Sequence, residues 1–256
     1  MPTILLAIDA YSRLEQLLPA AMLLASGQNA LLLGVFARDS RLLQGAALPC
    51  TQEVGANFAA CYPLTADTIE NRVWRIAEDM RRRLAVAAEQ RKLPWEFQLC
   101  DSSISQITSE TKADAVLPGW SGHLWVSGSN TGLRTAGGAA RAPLVVVDDV
   151  SPAAAQAIAA ARRLTAAAGL QDLVILVVDS APTAVDGPSP PKRSSGTQPG
   201  EVRIRVNSPE HLARHLRVLR PALVLLGRDQ PLASDSRLQK ELSLLKCPLA
   251  LLSATW

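Results

Sequence analysis

Short continuous apolar runs alternate along this chain with segments whose apolar positions recur at helical spacing. The run "TILLAID" (3–9) is bounded by Asp9 and has the pattern of a strand buried on both faces. Ser12 is expected to act as an N-cap, after which Leu14, Leu17, Leu18, Ala21, Leu24 and Ala25 fall on one helical stripe that Gly27 closes. "ALLLGVF" (30–36) follows as a second buried strand, which makes a βαβ unit with parallel strands and a right-handed crossover. Residues 37–64 show no periodicity and are expected to form a long loop. Then "ADTIENRVWRIAEDMRRRLAVAAEQRK" (66–92) places Ile69, Val73, Ile76, Met80, Leu84 and Ala87 on one face of a long amphipathic helix. The strand "WEFQLC" (95–100), the short helix "SISQITSET" (103–111) and the strand "DAVLPG" (114–119) come next. A glycine-rich stretch, "GWSGHLWVSGSNTG" (119–132), then leads towards "APLVVVDD" (142–149), taken as the fifth strand of the first half. Strands alternating with helices predict an α/β fold with a doubly wound parallel sheet.

The order then restarts. An Ala-rich helix (151–169) ends at Gly169 and is followed by "DLVILVVD" (172–179), "EVRIRVNS" (201–208), the helix "PEHLARHLRVL", "PALVLLGRD" (221–229), the helix "SRLQKELSLLK" and "CPLALLSA" (247–254). "DAVLPG" aligns with "ALVLLG", and "APLVVVDD" with "CPLALLSA", so the chain carries an internal repeat. Two tandem units are expected, at 1–149 and 150–256, the second truncated. Where the first has a long helix, the second has "SAPTAVDGPSPPKRSSGTQPG" (180–200), whose composition suits a flexible loop. Because the second unit begins with a helix, its first strand either comes from "PLVVV" or is missing.

"ILLAIDAYS" with its following helix and "ALLLGVF", and the late strand ending in glycine before a Gly-rich loop and "APLVVV", together resemble the universal stress protein family. The second half repeats the ending as "LVLLG…KCPLALL". The resemblance spans nearly the whole chain in layout and is weak residue by residue. It implies tandem universal stress protein-like (adenine nucleotide alpha hydrolase-like) domains, an internal pseudo-dimer and the capacity for a homodimer. It also implies a nucleotide site in those members that bind ATP. Such members have an Asp ending the first strand and a G-x2-G-x9-G-[S/T] loop after the fourth. Asp9, Gly119, Gly122 and Gly132 stand at those positions, and Ser127, Ser129, Asn130 and Thr131 add donors.

Glycines suit phosphate there because they let backbone N–H groups approach closely and turn freely. Leu133 replaces the family's hydroxyl, however, while Trp120, Leu124 and Trp125 crowd the loop. Gly137 and Gly138 weaken the helix that would follow. The second half offers "GRDQPLASDS", with no further glycine and with Asp229 and Asp235 repelling phosphate. The loop reads as a relic, with no cofactor expected; ATP or AMP binding in the first half is the alternative.

Net charge changes this picture little. At +3 it is too near neutral to imply nucleic acid, and the run Arg81-Arg82-Arg83 reads as a solvated helix face. Four cysteines without CxxC spacing suit reduced thiols, with Cys100 and Cys247 expected to be buried. No apolar stretch approaches a membrane-spanning length, and no signal peptide is evident, so a cytoplasmic protein is expected. His211 and His215 have a spacing that can chelate, but no third ligand follows, Arg214 and Arg217 flank them, and no metal is expected. Trp74 is expected in the core, and no GxSxG or other nucleophile turn is present. Together these features predict a non-catalytic regulatory or adaptor protein acting through protein contacts.

Overall fold

A computed structural model describes residues 1–25, 28–38, 44–45, 48, 52–54, 61–63, 65–119, 142–170, 172–178, 200–235, 238, 242, 247–254 and 256. In the first half β1 (Thr3–Ile8), α1 (Leu14–Leu24) and β2 (Leu31–Ala37) are followed by β3 (Gln52–Val54) and β4 (Cys61–Pro63). Then come α2 (Ala66–Gln90), β5 (Trp95–Cys100), α3 (Ile104–Glu110) and β6 (Ala115–Pro118). The second half runs β7 (Leu144–Asp148), α4 (Pro152–Ala168), β8 (Leu173–Val178), β9 (Glu201–Val206), α5 (Pro209–Leu219), β10 (Leu223–Gly227) and β11 (Leu249–Leu252).

Among the described residues, nine strands form one sheet in the order β5-β2-β1-β6-β11-β10-β7-β8-β9. Every neighbouring pair is parallel except β6 and β11, where Val116 faces Leu251 and Ala115 faces Leu252 in antiparallel register. The sheet is therefore of the expected, mostly parallel α/β kind, with its one antiparallel pairing where the two halves of the chain meet.

The sequence pattern allows "PLVVV" as the fifth strand of the first half or as the opening strand of the second. In the structure β7 lies between β8 and β10, and β10 separates it from β11. "PLVVV" is thus the strand on which the second half begins, and β11 reaches the first half through β6. A run of buried apolar residues reads the same whether a strand opens or closes such a sheet, so periodicity alone does not assign it.

Residues 37–64 also hold more order than expected, since β3 and β4 pair as a small antiparallel hairpin. Residues 180–199, nearly all of the helix expected at 133–142 and most of that expected at 236–246 lie outside the described residues.

The sheet separates three apolar clusters. On one face Ile4, Leu6, Ile8, Leu117, Leu144, Val146, Ile175, Leu223 and Leu225 pack with α1, α2 and α4 in a core that spans both halves. On the other face the halves keep separate cores. Leu5, Val35, Ile107 and Val116 form one, and Val145, Leu176, Leu212, Leu216, Leu226, Leu238 and Leu242 form the other.

Helix termini follow local rules. Thr65, Ser103, Ser151 and Ser208 each accept a hydrogen bond from the N–H three residues on, and Gly169 ends α4 at φ 63°. Of the α2 residues expected to face inward, Met80 and Leu84 are buried, joined by Ala77 and Ala88. Trp74, expected in the core, is 55% exposed. Its position borders the apolar stripe without belonging to it. The Arg81–Arg83 run is a solvated face as expected. Arg81 pairs with Glu78, Arg82 with Asp79, and Arg83 with Asp79 and with Glu15 of α1. Among the described residues no helix is long and apolar enough to cross a membrane.

A polar latch crosses the joint beside β11. Arg228 donates its backbone N–H to the Leu252 carbonyl at 2.7 Å. Its guanidinium donates to the carbonyls of Thr108, Ser109 and Thr111 at the C-terminal end of α3. A cation from the second half thereby satisfies helix-end carbonyls of the first, where the helix dipole also favours positive charge. Arg228→Ala should lower unfolding stability by about 1.5–3 kcal/mol, the range for hydrogen bonds that involve a charged group. Urea unfolding followed by circular dichroism will measure it.

Candidate functional site

In a doubly wound sheet the crossovers leave in opposite directions on either side of the opening strand, which leaves a crevice at the carboxyl ends of two adjacent strands. This fold has two such places, one between β1 and β6 and one between β7 and β10.

At the first, the structure brings Asp9 and Gly119 together. Asp9 does not cap α1, and neither does Ser12, the residue expected to do so; the flanking residue is Arg13, whose side chain makes no capping bond. Ser12 instead turns back. Its hydroxyl donates to Asp9 Oδ1 at 2.8 Å and accepts from the Asp9 N–H at 2.9 Å, while the Tyr11 N–H donates to the same carboxylate oxygen at 3.0 Å. Ser12 is buried, and Gly119 lies against it. A Cβ at position 119 would fall 2.1 Å from Ser12 Oγ and 3.0 Å from the Ala7 carbonyl oxygen. The glycine is therefore required by the close approach of Ser12. The Gly119 N–H is also committed, since it donates to the Ala7 carbonyl at 2.6 Å. Gly122 and Gly132, with Ser127, Ser129, Asn130, Thr131, Leu133 and the bulky residues of that loop, lie outside the described residues.

The second crevice repeats the turn. Asp148 accepts from the Val150 N–H at 2.9 Å, as Asp9 does from Tyr11, and Ser151 stands where Ser12 does, three residues after the Asp. Here the serine caps its helix, accepting from the Ala154 N–H at 3.1 Å.

The space between β7 and β10 is taken by a side chain that the sequence reading did not single out. Gln230 is 2% exposed. Its amide oxygen accepts from the Gly227 N–H at 3.0 Å, and its amide nitrogen donates to the Val147 carbonyl at 3.1 Å and to Asp149 Oδ1 at 3.2 Å. It thereby sits where the two strands would otherwise continue to pair, beyond their last register pair, Leu225 with Val146. The signal was present in sequence: aligning "GWSG" with "GRDQ" sets Gln230 opposite Gly122.

No family model matches the chain, and no curated protein matches it in sequence. Among solved structures it is similar to a universal stress protein from Archaeoglobus fulgidus DSM 4304. The identity is 11%, with 98% of this chain and 96% of that chain covered and a TM-score of 0.49. It is also similar to a protein of Pseudomonas aeruginosa UCBPP-PA14 solved under the same family description. There the identity is 13%, with 99% and 93% covered and a TM-score of 0.46.

Other candidate chemistry is constrained by burial. Cys247 is buried as expected, and burial pushes its thiol up to about 12, far from a nucleophilic thiolate at neutral pH. Cys100, expected to be buried, is partly exposed and donates to Ser102 Oγ at 3.3 Å.

The two crevices yield two tests. Gly119→Ala should cost about 1–3 kcal/mol by overpacking against Ser12, and adding Ser12→Gly should recover part of it. A double-mutant cycle on thermal or urea unfolding gives the coupling. Gln230→Leu should lower stability by at least about 1–3 kcal/mol, because it leaves the Gly227 N–H and the Val147 carbonyl buried without this partner. The same unfolding measurements check it.

Proposed function

We propose that this chain is a universal stress protein-like regulatory or adaptor protein that acts through protein–protein contacts and performs no catalysis. The observation that carries this reading is Gln230. Its buried amide closes the crevice where an α/β sheet of this kind would hold a ligand, so the second half is self-filled. The first crevice is consistent with the same reading. Asp9 Oδ1 already accepts from Ser12 and Tyr11, and the Gly119 N–H is spent on Ala7 rather than free for an anion. The sequence adds Leu133 in place of a hydroxyl.

A second reading, an ATP- or AMP-binding stress sensor using Asp9, Gly119, Gly122 and Gly132, draws on one observation. Asp9 and Gly119 do meet at the end of β1, through Ser12.

Calorimetry with Mg-ATP and with AMP separates the two. Charge-assisted hydrogen bonds to phosphate contribute about 1.5–3 kcal/mol each, so without two of them no binding tighter than about 100 μM is expected. Binding well below that concentration, abolished by Asp9→Ala or Gly122→Val, would replace the adaptor reading with the sensor.

A further inference from the structure

Helix α5 carries "PEHLARHLRVL", in which Leu212, Ala213 and Leu216 are buried and fix the helix against the sheet. Its start is set by Ser208, whose hydroxyl accepts from the His211 N–H at 3.1 Å. One turn separates His211 from His215, so both rings lie on the same side of the helix, and both residues are half-buried. Their ring centroids are 4.9 Å apart and the ring planes are tilted by 48°.

That separation has a chemical meaning. With metal–nitrogen bonds of about 2.0–2.1 Å, each imidazole centroid lies about 3.2 Å from a bound ion. Two rings on one ion are then about 4.5 Å apart at a right angle and about 5.2 Å apart at the tetrahedral angle. The observed spacing falls between these limits. The ring separation is therefore compatible with a shared ion without movement of the helix.

Against the expectation from sequence spacing alone, and on the strength of this ring separation, we propose that His211 and His215 form a two-imidazole site for a divalent late transition-metal ion. The donor set selects the ion. Imidazole nitrogens suit copper and nickel, whereas magnesium and calcium require oxygen ligands. Among the described residues no group of three His, Cys, Asp or Glu could hold a metal, so none of them completes a closed structural zinc site around the pair. Water or another molecule fills the remaining positions, and the ion is exchangeable. Arg214 and Arg217 add positive charge on the same helix and weaken the affinity.

The test uses the full chain without an affinity tag, stripped of metal and titrated with Cu2+ and separately with Ni2+ by calorimetry. Paramagnetic resonance of the copper form counts the nitrogen ligands. One ion per chain is expected, with two nitrogens on copper. His211→Gln and His215→Gln should each weaken binding by about ten- to a hundredfold, while His123→Gln leaves it unchanged. Circular dichroism of each variant confirms that α5 remains folded. The proposal is overturned by an absence of saturable binding below about 1 mM. It is equally overturned by affinity that survives both α5 substitutions, or by affinity that falls with His123.

Discussion

The antiparallel joint between β6 and β11 is the constraint from which the rest of the sheet follows. All four residues of β6 are buried, and β1 satisfies only one of its two edges. Backbone N–H and C=O groups on the other edge would be desolvated without partners, a cost the fold cannot leave standing in its interior. β11 provides the pairing. Because it does, the apolar face formed by α1, α2 and α4 continues without interruption from one half to the other. The asymmetry of the cores follows: one is shared by both halves, and each half keeps a private one on the opposite face. Arg228, placed beside β11 and reaching the end of α3, adds a polar tie to the same seam.

The elements themselves were largely legible. Buried strands such as Leu144–Asp148 and Leu223–Gly227 announce themselves as apolar runs, and the long amphipathic pattern gives α2 with a boundary at Thr65. The order of strands was less so. Nothing in "PLVVV" distinguishes a strand that closes one unit from a strand that opens the next, since both are buried on two faces. Local hydrogen bonding was hidden for a similar reason. Ser12 has the residue type of a cap, yet its hydroxyl is drawn to the Asp9 carboxylate three residues back, a competition that helix propensity does not resolve. For Gln230 the sequence offers only its alignment with Gly122, because its role depends on burial, which a glutamine before a proline does not announce.

The two crevices show one turn put to different uses. Each has an Asp that receives the N–H two residues on and a Ser at the third position. In the first half that Ser bonds the Asp and lies against a glycine; in the second it caps a helix while a glutamine fills the gap. Among the described residues, the Asp carboxylate at the end of β1 and that at the end of β7 are each answered by groups of the same chain.

The position of β11 also bears on how the chain acquires its structure. It is the last strand in sequence and lies at the centre of the sheet, so the first half gains its fifth strand only from residues more than a hundred positions away. During synthesis β6 leaves the ribosome long before its partner and must wait with one edge open. Local βαβ units can form early, but the seam is a non-local contact whose loop-closure entropy falls due at the end. Completion of this fold is therefore a late, slow event, and a nascent chain stopped short of Cys247 would present an uncovered apolar strand on each side of an absent one.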